Sequence, residues 1–182
     1  MPETAKNRLT ETAIRLFTER GLTQVGINEI IREADVARMS LYNNFRSKDD
    51  LAHAAYTMLS QRRLDAIDAA IKQAADPQSA ILAIFDLAGE LACAPSFRGC
   101  ALIALAAHTQ LDQRDLTALI RHHKAAVRDR FIQLAKVHGQ TDPVLTGRQL
   151  LALWDGALTG ASIEGDIAPI AAARSAAAQL LR

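Results

Sequence analysis

Apolar side chains recur every three to four residues along almost the whole chain, which is the spacing of one face of an α-helix. The first run holds Leu9, Ala13, Leu16 and Phe17, and Gly21 follows it as a helix stop. Alanine and leucine dominate a composition that is 49% hydrophobic but only 4% aromatic, whereas a sheet protein would favour β-branched and aromatic residues. The sequence therefore predicts an all-α protein.

Two aspartate–proline pairs mark the starts of later helices. Asp76-Pro77 and Asp142-Pro143 each place a capping side chain before a proline, which suits the first position of a helix because its missing N–H has no partner there anyway. A further break near Gly165 separates the last two periodic runs. Counting the runs between such breaks, we expect about nine helices and no strand.

The charge balance and the apolar runs limit where the protein works and what it binds. The net charge of +1 excludes a generally basic surface, so a nucleic-acid site would have to be a local patch. No apolar stretch approaches the roughly 20 residues of a membrane span. The first residues also lack the apolar core of a secretory signal. We therefore expect a cytoplasmic protein without membrane contact.

The sequence lacks the motifs of catalysis and metal binding. His108 and His122-His123 lie near acidic residues, but there is no HExxH motif, glycine-rich phosphate loop or nucleophile elbow. Cys93 and Cys100 have no partners at metal-ligand spacing, and we interpret both as reduced thiols. We expect no enzymatic activity, no cofactor and no metal site.

Residues 27–45 have the arrangement of a helix-turn-helix. Ile27, Ile30 and Ala34 form one short apolar stripe, and a break follows it. Leu41 and Phe45, four residues apart, then predict a second short helix with these two side chains facing inward. A supporting helix, a tight turn and a helix short enough to enter the major groove are the parts that this motif requires.

The segment after the predicted turn is rich in hydrogen-bond donors and contains no acidic residue. Arg38 can pair with guanine or phosphate, and Asn43 and Asn44 can pair with adenine or phosphate. Tyr42, Ser40 and Lys48 can donate to phosphate oxygens. A polar, solvated helix face is the alternative that residue types alone leave open. The predicted DNA-binding residues are Asn28, Arg38, Met39, Ser40, Tyr42, Asn43, Asn44 and Lys48.

Three stretches in order, RLTETAIRLFTERG, INEIIREADV and SLYNNFRSKDDL, resemble the N-terminal domain of the TetR family of transcriptional regulators. The family pattern ends in a leucine–tyrosine pair, an aromatic residue, and a serine–lysine pair before an acidic helix start, which here are Leu41-Tyr42, Phe45, Ser47-Lys48 and Asp49. The resemblance implies a three-helix DNA-binding domain over residues 1–48 and a helical effector-binding and dimerisation domain over residues 49–182.

The chain departs from the family pattern at three positions. Gly26 stands where the family usually has a threonine or serine that caps the second helix. Asp35 occupies a turn position usually held by glycine, and aspartate tolerates left-handed geometry better than most residues. Asn44 replaces a frequent histidine. The operator sequence therefore does not carry over from the family.

The later segments FRGCALIALAAHTQL and LLALWDGALTGA are similar to the effector domains of one TetR subgroup. The resemblance implies that the middle helices enclose a small-molecule cavity. Apolar walls with a few polar groups suit such ligands, although ordinary core packing is the alternative for each of these residues. The predicted pocket residues are Phe85, Phe97, Cys100, Ile103, His108, Phe131 and Trp154.

The resemblance also implies that the last two helices pair with their copies in a partner subunit. Small residues four apart on the penultimate helix would allow close packing of helices across that interface, and intramolecular packing is again the alternative. The predicted dimer residues are Trp154, Gly156, Ala157, Gly160, Ala161, Ile170 and Ala177.

Taken together, the sequence predicts a ligand-responsive regulator, with repression as the usual mode of the family. It would bind a palindromic double-stranded operator as a homodimer and be released by a small-molecule effector. Two alternatives stay open: a thiol-based redox-sensing regulator that uses Cys93 and Cys100, and a helical protein-interaction module that does not bind DNA.

Overall fold

The computed structural model describes residues 4–94, 96–108 and 114–182. Over these residues the chain forms nine α-helices and no strand, which confirms the all-α prediction. None of the described helices combines the length and the apolar character needed to cross a membrane. In chain order the helices are α1 (Ala5–Arg20), α2 (Ile27–Glu33), α3 (Arg38–Asn44), α4 (Lys48–Gln73), α5 (Pro77–Ala92), α6 (Ala101–His108), α7 (Arg114–His138), α8 (Pro143–Glu164) and α9 (Ala168–Leu180).

The predicted capping residues begin and end helices in the structure. The Asp76 carboxylate accepts a hydrogen bond of 2.8 Å from the Ser79 backbone N–H at the start of α5. The Asp142 carboxylate accepts one of 2.9 Å from the Leu145 N–H at the start of α8. Gly165 follows α8 with φ of +68°, a conformation that glycine adopts without the steric cost of a Cβ.

The described residues form two compact units, and each is built around its own buried side chains. The first takes its residues from Met1–Gln61 and Ala101–Ile120, and the second from Arg62–Cys100 and Arg121–Arg182. Helices α4 and α7 each contribute to both units. The functional boundary predicted between residues 48 and 49 stays a prediction.

The first unit is organised by α1, which contacts both α2 and α3, while α2 also contacts α3. The ring of Phe17 stacks on that of Tyr56 from α4, with 6.0 Å between the ring centroids. Aromatic stacking of this kind adds to the free energy that the burial of both rings contributes. Other side chains buried in this unit are Leu9, Leu16, Ile30, Leu41 and Phe45.

The second unit has an apolar core made by α4, α5, α7, α8 and α9. Phe85 lies within it, with its ring centroid 6.0 Å from that of Phe131 and 5.9 Å from that of Trp154. Helix α8 approaches α7 closely at Gly147, where an added Cβ would lie 2.4 Å from Cγ1 of Ile132 and 2.8 Å from its backbone nitrogen. The close approach of α7 and α8 therefore requires glycine at this position.

Candidate DNA interface

Helices α2 and α3 form the predicted helix-turn-helix, and α1 supports both of them. Leu41 and Phe45 are 0% and 3% exposed, so the prediction that they face inward is confirmed. Their burial fixes which side of α3 faces solvent. We call α3 the recognition helix from here on.

Arg8 of α1 holds the turn between the two helices through long-range hydrogen bonds. Asp35 has φ of +49°, the left-handed conformation expected of a residue that replaces glycine. The Arg8 guanidinium donates to the carbonyl oxygen of Ala34 through Nε at 2.9 Å and Nη2 at 2.5 Å. Its Nη2 also donates to the Asp35 backbone carbonyl and to the Asp35 carboxylate. Arg8 thus donates hydrogen bonds to the backbone carbonyls of a turn in which Asp35 takes the place of the glycine in the family pattern.

The donors predicted to contact DNA lie on the solvent side of this motif. Arg38 places its guanidinium carbon 5.9 Å from the ring centroid of Tyr42, which itself is 46% exposed. This cation–π contact orients a flexible side chain before any ligand binds. The exposed predicted residues are Asn28, Arg38, Met39, Tyr42, Asn43 and Asn44, and the half-buried ones are Ser40 and Lys48.

Asn44 differs from the other donors because its amide is already engaged. Its Nδ2 donates to the carbonyl oxygen of Ser40 at 2.6 Å, one turn earlier on the recognition helix. An amide held by its own helix has less freedom to pair with a base. Asn43 is exposed as well, and among the described residues no hydrogen bond of this kind holds its amide.

Two hydrogen bonds of Asp50 fix the start of α4 and therefore the position of Lys48. The Ser47 hydroxyl accepts from the Asp50 N–H at 3.1 Å, and the Asp50 carboxylate accepts from the Arg46 N–H at 2.9 Å. The first bond caps the start of the helix, and the second ties the residue before Ser47 to the first turn of α4. Partial burial lowers the pKa of Lys48, while the charge of Asp49 acts in the opposite direction.

Sequence reasoning missed Lys6 as a neighbour of the recognition helix. Its ammonium lies 6.0 Å from the centroid of the Phe45 ring, which caps α3. Lys6 is exposed and thus adds a positive charge beside the donors of α3. No local pattern could have indicated it, because the contact joins residues 39 positions apart and exists only once α1 packs on α3.

Most of the predicted pocket residues belong to the second unit. Phe85, Phe131 and Trp154 pack on one another in the core of the second unit. Phe97 and Cys100 are half-buried against the same core. Ile103 belongs to the first unit, and the side chain of His108 lies outside the described residues. The three packed aromatic rings are thus accounted for by core packing, the alternative that the sequence left open.

Most of the predicted dimer residues are buried inside their own subunit. Gly156 is exposed, and Gly160 is half-buried where a Cβ would lie 2.9 Å from Pro169. The other five belong to the core of the second unit, so intramolecular packing accounts for them: Trp154, Ala157, Ala161, Ile170 and Ala177. A dimer interface on α8 and α9 stays a prediction, and Gly156 is the exposed member of the predicted set.

Comparison with known proteins agrees with this geometry. Residues 9–55 match the family model described as bacterial regulatory proteins, tetR family. An uncharacterized HTH-type transcriptional regulator of Mycobacterium tuberculosis is 40% identical over 62 residues, which are 34% of this chain and 30% of that protein. The HTH-type transcriptional regulator LmrA of Bacillus subtilis is 28% identical over 114 residues, which are 62% of this chain and 61% of LmrA. The matched segments thus span less than two thirds of either relative.

A solved structure extends the similarity to the whole chain. A TetR-family transcriptional regulator from Streptomyces coelicolor superposes with a TM-score of 0.88 at 28% identity, over 98% of this chain and 95% of that one. The fold and the exposed donors define a helix-turn-helix protein with a helical C-terminal region. Residues 9–55 thus match the N-terminal domain of the tetR family of bacterial regulatory proteins, and the whole chain is similar to TetR-family transcriptional regulators. Its relatives are regulators and not enzymes, in agreement with the expectation that it has no catalytic activity.

Proposed function

We propose that this chain is a repressor that binds an inverted-repeat operator as a homodimer and is released by a small molecule. One observation carries the proposal: the recognition helix buries Leu41 and directs Arg38 and Tyr42 to solvent, on a surface free of acidic residues from residue 38 to 48. A short helix with this distribution fits the major groove of B-DNA.

The chemistry of each side chain suggests its role on DNA. Arg38, pre-oriented on Tyr42, has the planar fork that matches the O6 and N7 atoms of guanine. Met39 is 66% exposed, and it suits contact with a thymine methyl group. Phosphate contacts position the helix without reading sequence. We assign these to Ser40, Tyr42, Lys48 and the newly found Lys6.

An exposed seam on α8 and α9 supports the dimer. Six exposed residues of α8 follow one another at intervals of four and three, the spacing with which helices pair along their length. They are Leu145, Gln149, Ala152, Gly156, Thr159 and Ile163. A shallow groove of about 340 Å³ runs between this seam and α9, with Ala152, Gly156, Ala172 and Ala176 among its lining residues. Small side chains let a second copy approach closely, so we propose this seam as the interface.

Helix α4 is the element through which an effector would act on DNA binding. Its first half buries Leu51 and Tyr56 in the first unit, and its second half buries Leu64 and Ile67 in the second. Because α4 is one continuous helix that contributes side chains to both cores, a shift of its C-terminal half is expected to move its N-terminal half as well. A ligand that favours a different position of α4 would weaken DNA binding by its differential affinity for the two states.

Selection of duplexes from a random DNA pool by the purified full chain tests this proposal. A homodimer with two recognition helices is expected to enrich an inverted repeat, with half-sites about one helical turn, roughly 34 to 36 Å, apart. The same selection without protein controls for amplification bias. Enrichment of a single asymmetric site contradicts the homodimer, and no enrichment at low salt contradicts DNA recognition.

A further inference from the structure

Helix α2 ends in a turn whose geometry is usually formed by glycine. The N–H of Val36 donates to the carbonyl oxygen of Ile31 at 3.3 Å. The N–H of Asp35 donates to that of Arg32 at 3.1 Å, which completes a Schellman motif with Asp35 in the left-handed region, at φ of +49°. This conformation costs a residue with a Cβ more than it costs glycine. The turn is therefore formed against the local preference of its own sequence.

The helices on either side of this turn are short and start without side-chain caps. Gly26 precedes α2 and Ala37 precedes α3, and among the residues that the structure describes neither makes a side-chain hydrogen bond to its helix. Each helix has only seven residues, a length at which an isolated helix is at best marginally stable in water. The relative position of α2 and α3 therefore depends on contacts from outside the motif.

Arg8 of α1 supplies such contacts at the turn itself. Its guanidinium donates to the carbonyl oxygens of Ala34 and Asp35, two acceptors that the Schellman motif does not use. The Asp35 carboxylate accepts from the same guanidinium at 3.1 Å. Arg8 also lies at the C-terminal end of α2, where the helix dipole favours a positive charge. One side chain of α1 thus fixes the end of α2 and the turn that leads into α3.

We propose that Arg8 is a positioning residue for DNA binding, which orients the recognition helix relative to α2 without contacting DNA itself. The proposal rests on the proposed function, since it concerns the same DNA surface. Without Arg8 the turn populates other conformations, and the apparent affinity falls with the fraction of chains that keep the binding-competent one. The guanidinium is engaged by the turn and not by a phosphate, so its loss should release no additional counterion.

Fluorescence anisotropy of the full chain with the selected operator tests this role. Arg8→Ala is expected to weaken binding by about tenfold or more, because the turn loses several hydrogen bonds from a charged donor. The slope of log affinity against log salt concentration should stay that of the parent chain, whereas loss of a phosphate contact would reduce it by about one. Arg8→Lys keeps the charge but loses the planar fork, and its affinity is expected between those of the parent chain and Arg8→Ala.

Two further variants separate the turn from the surface charge of α1. Adding Asp35→Gly to Arg8→Ala is expected to recover affinity by about threefold or more, because glycine adopts the left-handed conformation at lower cost. Arg15→Ala is the matched control. Arg15 also joins α1 to α2, through an ion pair of 3.1 Å with Glu33, but this pair is partly exposed and lies away from the turn. Its loss should change the affinity by less than about twofold.

Amide hydrogen exchange of the full chain without DNA distinguishes this proposal from the proposed function. Arg8→Ala is expected to raise exchange over residues 34–45 by about tenfold and to leave α8 and α9 unchanged, and Arg15→Ala should match the parent chain. The proposal is overturned if exchange over residues 34–45 is unchanged or rises equally along the whole chain. It is also overturned if Arg8→Ala binds the operator as the parent chain does, or loses salt slope. A parent chain that binds no duplex contradicts the proposed function, while the exchange result still decides whether Arg8 holds the turn.

Discussion

Arg38→Ala is expected to weaken operator binding by about tenfold or more and to relax the base preference at one position of each half-site. Arg38 is exposed on the recognition helix and already oriented by the Tyr42 ring. A good bidentate contact with a base discriminates against the wrong base by about 1–3 kcal/mol. Fluorescence anisotropy with the selected operator and its single-base variants measures both quantities.

Phosphate-directed variants provide the comparison. Tyr42→Phe retains the ring beneath Arg38 but removes the hydroxyl, so affinity should fall alike for every sequence. Lys48→Ala should do the same and reduce the salt slope of binding by about one. Lys136→Ala removes an exposed charge from α7 and is expected to change neither property. Equal loss of base preference in Arg38→Ala, Tyr42→Phe and Lys48→Ala contradicts this division of roles.

Phe85→Ala is expected to destabilise the fold by about 3–5 kcal/mol, because it leaves a cavity among the rings of Phe131 and Trp154. For a chain of this size such a loss lowers the Tm by about 10 °C. Thermal and urea unfolding of the parent chain and the variant at equal protein concentration give the measurement. The concentration is held equal because association would itself change the apparent stability.

Val137→Ala is the control for this variant. Val137 is 73% exposed on α7, so its truncation should change the free energy of unfolding by less than about 0.5 kcal/mol. A loss of less than about 1 kcal/mol in Phe85→Ala contradicts the core assignment. Such a result would instead favour the sequence-based prediction that Phe85 lines a ligand cavity.

The helices of this protein could be predicted because their boundaries are encoded locally. Asp76, Asp142 and Gly165 act within one turn of their own positions, so a short window of sequence contains the whole signal. The donors of the recognition helix are also local, since they occupy one segment of eleven residues. Periodicity and composition were therefore sufficient for the fold class, whereas the candidate DNA surface also relied on the family resemblance and stays a prediction.

Long-range contacts could not be predicted from the sequence, and the reason is physical. Arg8 stabilises the turn at Asp35 and Lys6 lies near Phe45, yet each pair is far apart along the chain. The dimer surface could not be narrowed from the sequence for another reason. Both faces of α8 carry small apolar residues, so Ala157 in the core and Ala152 at the surface cannot be told apart by residue type. Only the packing of α5 and α9 against α8 shows which face is covered.

The most direct test of the account is the salt dependence of binding to the selected inverted repeat, measured by fluorescence anisotropy with the full chain. A dimer that neutralises several phosphates releases their counterions, so affinity should fall by roughly 100-fold or more between about 50 and 200 mM salt. The steep loss should be accompanied by a stoichiometry of one dimer per duplex. Affinity that is weak at low salt and insensitive to salt would contradict the claim that α3 and its neighbouring cations bind DNA.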